Sequence, residues 1–291
     1  GQKNKFNQQG FVPVNRTEKS LLGSEQENDW KYLPLINGLV RLAALFHDWG
    51  KASQLFQDRL NPHTKTRLKG DPLRHEWVSS LLFSALVKSQ TDPQRDESWL
   101  NALVTSSWHE SMLQAWVKEN NQHQTPFKQL PDAASLLVWL IVSHHRLPFL
   151  ANEQERLAYE SKHCDSVAKL LELLDKQWGY QNDFDEAEYS QRIHQCLEFP
   201  HGLLSESKIW RQAVSQAAEH LKHQLPLLNE ALENGCWRLV AQHARLCLML
   251  GDHNYSSKGA DPDWQSHIPL YANTHFINGA MQYKQKLDEH L

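Results

Sequence analysis

The chain has little of what most directly declares a function. Among its 291 residues are only 4 cysteines, Cys164, Cys196, Cys236 and Cys247, and no two stand at CxxC spacing. That argues against a cysteine zinc site and a disulfide framework, so reduced thiols in a cytoplasmic protein are expected. No GxxxxGK[ST] loop occurs, so no ATP motor is encoded. The longest apolar run, Ala133 to Val142, falls short of the roughly 20 residues that span a bilayer. The start, Gly1 to Gly10, is polar, and neither secretion nor a membrane is expected. The formal net charge is −4, so no global basic field advertises nucleic acid, although a local groove can still be basic. Sustained strand alternation and internal repeats are absent as well.

Helical periodicity is what remains, and the expected fold class is all-α. Helices are expected over Leu35 to His47, Ala52 to Leu60, Arg74 to Lys88, Ser98 to Val104, Met112 to Val117 and Ala133 to His145, the last stopped by Pro148. Further helices are expected over Glu153 to Trp178 with Gly179 as the stop, Glu186 to Leu197, and Ser207 to Leu221. Leu227 to Leu250 should break near Gly235, a loop should cover Asn254 to Ser266, and Met281 to His290 should be helical. The 40% apolar content suffices for a sizeable core. Most tryptophans, such as Trp77 and Trp139, fall on apolar faces and read as core.

Three apolar runs end on metal-ligand side chains. Leu42 to Phe46 runs into His47-Asp48, Leu136 to Ser143 into His144-His145, and Leu246 to Gly251 into Asp252. Burying such groups costs free energy unless something compensates them, and a shared metal ion does so for several at once. With 17 histidines in the chain, any one dipeptide is weak evidence. The combination carries the weight: His47-Asp48, then His75 in Arg74-His75-Glu76, then His144-His145, then Asp252. Imidazole with carboxylate favours Mn, Fe, Co or Ni over Ca. Two ions about 3.5–4 Å apart, bridged by a carboxylate such as Asp48, would form a clamp for phosphoester hydrolysis.

A helix ending His-Asp, followed by Gly-Lys, with a later His, a His-His pair and a late Asp, resembles the HD metal-dependent phosphohydrolase superfamily. Phe46-His47-Asp48-Trp49-Gly50-Lys51, Arg74-His75-Glu76-Trp77, Ser143-His144-His145-Arg146-Leu147-Pro148 and Gly251-Asp252-His253-Asn254-Tyr255-Ser256 resemble the HD nuclease domain of the CRISPR type I nuclease–helicase, type I-F above all. The resemblance covers Leu35 to Leu291. It implies an HD-type helical bundle and a single nuclease domain over 1–291. An irregular segment, 1–34, would precede the bundle, and a loop and helix, 254–291, would lead toward a helicase absent from this chain.

The implied activity is metal-dependent endo- or exonuclease cleavage of single-stranded DNA in CRISPR interference, an antiviral defence, by metal-activated water. The implied ligands are His47, Asp48 and Asp252 for one ion, and Asp48, His75, His144 and His145 for the other. Many relatives carry a further upstream His, whereas none precedes His47 here, so one ion or two is left open. Implied partners are single-stranded DNA, helicase and adaptation modules of the same full-length polypeptide, a CRISPR surveillance complex and the integrase. An inhibitor protein is a further partner on which the sequence is silent.

Supporting groups each have a bland alternative. Lys51 is a contact to the scissile phosphate or an exposed helix-start lysine. Ser256 faces the substrate or is a loop hydroxyl. Arg146 binds phosphate or pairs with an acid. Arg59, Lys65, Arg67, Lys69 and Arg74, against Asp71 alone, form a track for a DNA strand or a solvated loop. His109, His243 and His253 read as structural or surface residues, with His109 the substitute should His75 fail. Two other functions stay open: an HD-superfamily nucleotide or cyclic-nucleotide phosphohydrolase, and a non-catalytic recruitment domain.

Overall fold

The computed structural model describes residues 30–60, 71–121, 125–147, 166–171, 174, 179, 186–257, 275–277 and 280–282. Its architecture is all-α. Helix α1 (Leu33–Phe46) is followed by a 3-10 turn (Trp49–Ala52), α2 (Gln54–Leu60), α3 (His75–Lys88), α4 (Asp96–Thr105), α5 (Glu110–Asn120) and α6 (Asp132–Ser143). Then come α7 (Val167–Leu171), α8 (Glu186–Cys196), a 3-10 turn (Leu204–Glu206), α9 (Lys208–His223), α10 (Leu225–Glu233) and α11 (Trp237–Ser257). Strands β1 (His275–Ile277) and β2 (Ala280–Gln282) form one short antiparallel pair. Among the described residues, no helix is long and apolar enough to cross a membrane.

Helices α1, α3 and α6 form the centre. Leu35, Ile36, Leu39, Leu42, Ala43 and Phe46 of α1 are buried at helical spacing. Helix α6 is buried on nearly every side, and only Asp132 and Trp139 fall outside its core set. Trp139 is therefore packed against the core from its edge, while Trp77, Trp99 and Trp49 lie fully inside. Asp96 fixes where α6 begins. Its carboxylate accepts the amides of Ala133 and Ala134 at 2.9 and 3.1 Å, a cap supplied from the start of another helix.

Three expectations need correction. Helix α6 ends at Ser143, so His144 and His145 lie beyond it rather than in its last turn. The His144 ring takes the Ile141 carbonyl at 2.6 Å, an oxygen that a continuing helix would offer to the amide of residue 145. Helix α11 runs on through Ser257, so Asn254 to Ser257 are helical and not loop. Gly251 is tolerated within it because packing of the helix overrides a local cost of about 1 kcal/mol. Met281 and Gln282 pair as strand, opposite Phe276 and His275, and not as helix. The Asn278-Gly279 dipeptide between the strands is a hairpin signal that the helical reading passed over.

The break near Gly235 falls between α10 and α11, where Gly235 has a φ of +79°. Of Glu153 to Trp178, the described helix is Val167–Leu171, and most of that stretch lies outside the described residues, as do 1–29 and 283–291. Gly179 has a packing role: a Cβ there would stand 2.2 Å from the Trp77 ring. Among the described residues Cys196, Cys236 and Cys247 are free thiols, and Cys164 lies outside them.

Gly50 decides how the turn after α1 meets α3. A Cβ on it would lie 2.2 Å from the His75 carbonyl and 2.9 Å from the Val78 Cβ. Its amide donates to the Ser79 hydroxyl at 2.7 Å. Only glycine lets the turn lie flat on the start of α3, which carries Asp48 up to His75. Gly50→Ala should lower stability by about 1–3 kcal/mol, the usual cost of overpacking, read as a shift in the urea midpoint with unchanged slope.

Candidate metal centre

The ligand-type side chains meet where helix ends converge. His47 and Asp48 follow α1, His75 opens α3, His144 and His145 follow α6, and Asp252 lies in the last third of α11. Behind them Phe46, Trp49 and Trp210 pack with ring centroids 4.9–5.7 Å apart, and the Trp210 indole donates to the Leu45 carbonyl at 3.2 Å. This aromatic wedge holds the end of α1 against α9. From α11, the Arg245 Nε donates to the Ser143 carbonyl at 2.9 Å. A guanidinium thus satisfies an end carbonyl of α6 and ties the helix of Asp252 to the segment of His144.

Among the described residues two groups of side chains could hold a metal ion: His47 with His144 and Asp252, and His75 with His144 and His145. Asp48 lies between them. Its Oδ1 is 3.4 Å from the His75 Nε2 and its Oδ2 is 3.5 Å from the His47 Nε2. The His47 Nε2 is 3.6 Å from the Asp252 Oδ1. Against the implied division of ligands, His144 stands with His47 and Asp252 as well as with His75 and His145, and Asp48 belongs to neither group.

The donor set fits a cation. The His47 Nδ1 lies 2.8 Å from the Ala44 carbonyl, and the His144 Nδ1 lies 2.6 Å from that of Ile141. A carbonyl only accepts, so each Nδ1 carries the proton and the Nε2 of the neutral ring presents a lone pair. The Nε2 atoms of His47, His75 and His144 and the Oδ1 of Asp48 are all buried without a hydrogen-bond partner. Acceptors facing acceptors in a buried space call for a positive charge among them.

The electrostatics agree. Burial pulls His47 down, but the carboxylates of Asp48 and Asp252 outweigh it and leave its pKa raised. Burial pushes Asp48 up, and His47, His75 and Lys51 together hold it well below the usual carboxylate range. The adjacent His47, above all, draws Asp252 down to about 2. Burial first, then the neighbouring His47 and His145, lowers His144 to about 3, so it stays neutral well into acid. Burial also lowers His145, against the pull of Glu76.

Lys51 belongs to this cluster, with its ammonium 2.8 Å from the Asp48 Oδ2. Arg59 does not reach it. Its guanidinium pairs with Asp71 at 2.8 Å and lies 4.3 Å from the centroid of Phe56, whose ring adjoins His75. Arg74 immediately precedes α3, with its Nη1 3.9 Å from Glu76. Arg146 is exposed just beyond the histidine pair. Lys65, Arg67 and Lys69, and the side chain of Ser256, lie outside the described residues. His109 and His253 are exposed and join neither group, and His243 packs edge-on against Trp30. The sequence reading missed Glu76 and Arg245. Charge next to a candidate ligand and an Arg two turns before Asp252 were the available signals, each too common to single out.

Residues 32–234 match the family described as "Cas3, HD domain". The chain belongs to the Cas3 HD-domain family. Asp252 lies beyond the matched stretch, but two curated relatives align with the whole chain. Both carry the description CRISPR-associated nuclease/helicase Cas3 subtype I-F/YPEST. The one from Pectobacterium atrosepticum is 37% identical and the one from Pseudomonas aeruginosa is 38% identical. The chain spans 26% of the length of each.

Because His47 holds its proton more tightly than an ordinary histidine, a cation must displace that proton to bind. Mn(II) uptake by the metal-free chain should release protons, and affinity should weaken as pH falls through and below the raised His47 value. Calorimetry in buffers of differing ionisation enthalpy checks this. A binding enthalpy that does not change with buffer would contradict it.

Proposed function

We propose that this chain is a metal-dependent nuclease domain that cleaves single-stranded DNA in CRISPR interference. The observation that carries the reading is the convergence of orphaned Nε2 atoms from His47 and His75 on the carboxylate of Asp48, with His144 within ligand-sharing distance of both rings. Membership of the Cas3 HD-domain family and the descriptions of the two relatives support the same reading.

A divalent transition-type cation such as Mn, Fe, Co or Ni, held as one ion or two, would supply Lewis acidity and acidify a water for phosphodiester hydrolysis. The chain's own residues do the rest. His47, His144 and Asp252 form one face of the site, and His75, His144 and His145 the other, with Asp48 between them. Lys51 holds the Asp48 Oδ2 and places a positive charge one turn away, where a phosphate oxygen would enter. Arg146, exposed beside the histidine pair, can meet the strand's backbone. Arg59 is engaged by Asp71, so the basic track rests on Arg74, Arg146 and the lysines and arginine of 65–69.

The chain works in this proposal as one domain of a longer polypeptide that also carries a helicase module and an adaptation module. The helicase feeds the strand, and the surveillance complex and integrase are the assemblies it serves. Asp48→Ala should abolish cleavage of a long single-stranded DNA with Mn(II) or Co(II) present while the circular dichroism spectrum stays helical. Full activity in that variant would refute the assignment. Turnover of mononucleotides in place of the strand would favour a nucleotide phosphohydrolase.

A further inference from the structure

Glu76 is a buried charge that the proposed reaction does not use. It is 2% exposed, and a carboxylate so enclosed needs compensation. Arg74 approaches its Oε1 at 3.9 Å, too far for a good hydrogen bond. Its Oε2 lies closer to His75, 3.3 Å from Nδ1. The other His75 nitrogen, Nε2, is buried, has no hydrogen-bond partner and faces the Asp48 Oδ1 at 3.4 Å.

The three histidines of the cluster whose Nε2 atoms are buried solve one problem in two ways. His47 and His144 stand at the ends of helices, and each sets its Nδ1 on the carbonyl three residues back, Ala44 or Ile141. His75 stands at the start of a helix, so the residue three back, Pro72, precedes α3 and offers no equivalent helical carbonyl. The side chain of the next residue occupies that place. Resting on the metal-centre reading above, we propose that Glu76 is a positioning residue: it receives the Nδ1 proton of His75 in a hydrogen bond and so holds Nε2 beside Asp48 as the metal-facing nitrogen. Such partners fix the tautomer, orient the ring and raise the basicity of the ligating nitrogen.

A merely structural role also exists. Glu76 is the acidic residue in the first turn of α3, where a negative charge favours the helix dipole. That role would affect unfolding and leave the His75 tautomer alone. Two readouts on the 291-residue chain separate the roles. The first is the tautomer of His75 in the metal-free chain at about pH 8, by nitrogen-15 NMR with His75→Asn assigning the signal. The second is Ni(II) and Mn(II) affinity by calorimetry.

The expected results are an Nδ1-protonated His75 in the unaltered chain and a metal affinity about 10- to 100-fold weaker in Glu76→Ala. Glu76→Gln, whose amide oxygen still accepts but carries no charge, should show a smaller loss that still exceeds twofold. An Nε2-protonated His75 in the unaltered chain, or Glu76→Ala binding within twofold of it, would overturn the proposal. Should Glu76→Ala not fold, the unaltered tautomer and Glu76→Gln decide by the same limits. An unaltered chain that binds neither metal would instead overturn the metal-centre reading, a result distinct from the tautomer.

Discussion

Electron-pair acceptors that face one another cannot stay buried without a positive charge between them, and this constraint governs the centre of the molecule. The Nε2 atoms of His47, His75 and His144 and the Asp48 Oδ1 are buried with no hydrogen-bond partner. Each of the two ring nitrogens that could have relieved the conflict, on His47 and His144, is already committed to a main-chain oxygen. The scaffold maintains this arrangement. Gly50 lets the turn lie on α3, Asp96 sets where α6 starts, and Arg245 ties α11 to its end. A core of α1, α3 and α6 supplies the rigidity that such positioning needs.

Much of the scaffold was legible because its central helices bury apolar residues at unmistakable spacing. Helices α1, α3 and α6 fall within three residues of their expected bounds. The clustering of candidate ligand residues was legible for a related reason, since polar groups at the ends of the most apolar runs demand compensation. Where the reading failed, a local contact or a tertiary one had overridden the pattern. The His144 ring captures the carbonyl that would have continued α6, and α11 carries its helix past Gly251 and Asp252 despite weak propensity.

Other features were illegible in principle. That Arg59 pairs with Asp71 and lies over Phe56 depends on how α2 returns toward α3. Glu76 and Arg245 matter through single atoms, a carboxylate oxygen on one ring nitrogen and a guanidinium on one carbonyl. Periodicity reports which face of a helix is buried, but it does not report which atom of a polar residue meets which partner. The same limit explains the shared position of His144, which the resemblance to the family had implied for one side only.

In the proposed function, distant segments converge to grip a transition-type cation. Anomalous diffraction from crystals of the chain grown with Mn(II), collected on both sides of the metal's absorption edge, tests it most directly. A peak is expected within bonding distance of the His47, His75 or His144 Nε2 and of an Asp48 oxygen. Crystals with no anomalous peak among these residues, or with the ion held elsewhere on the surface, would contradict it.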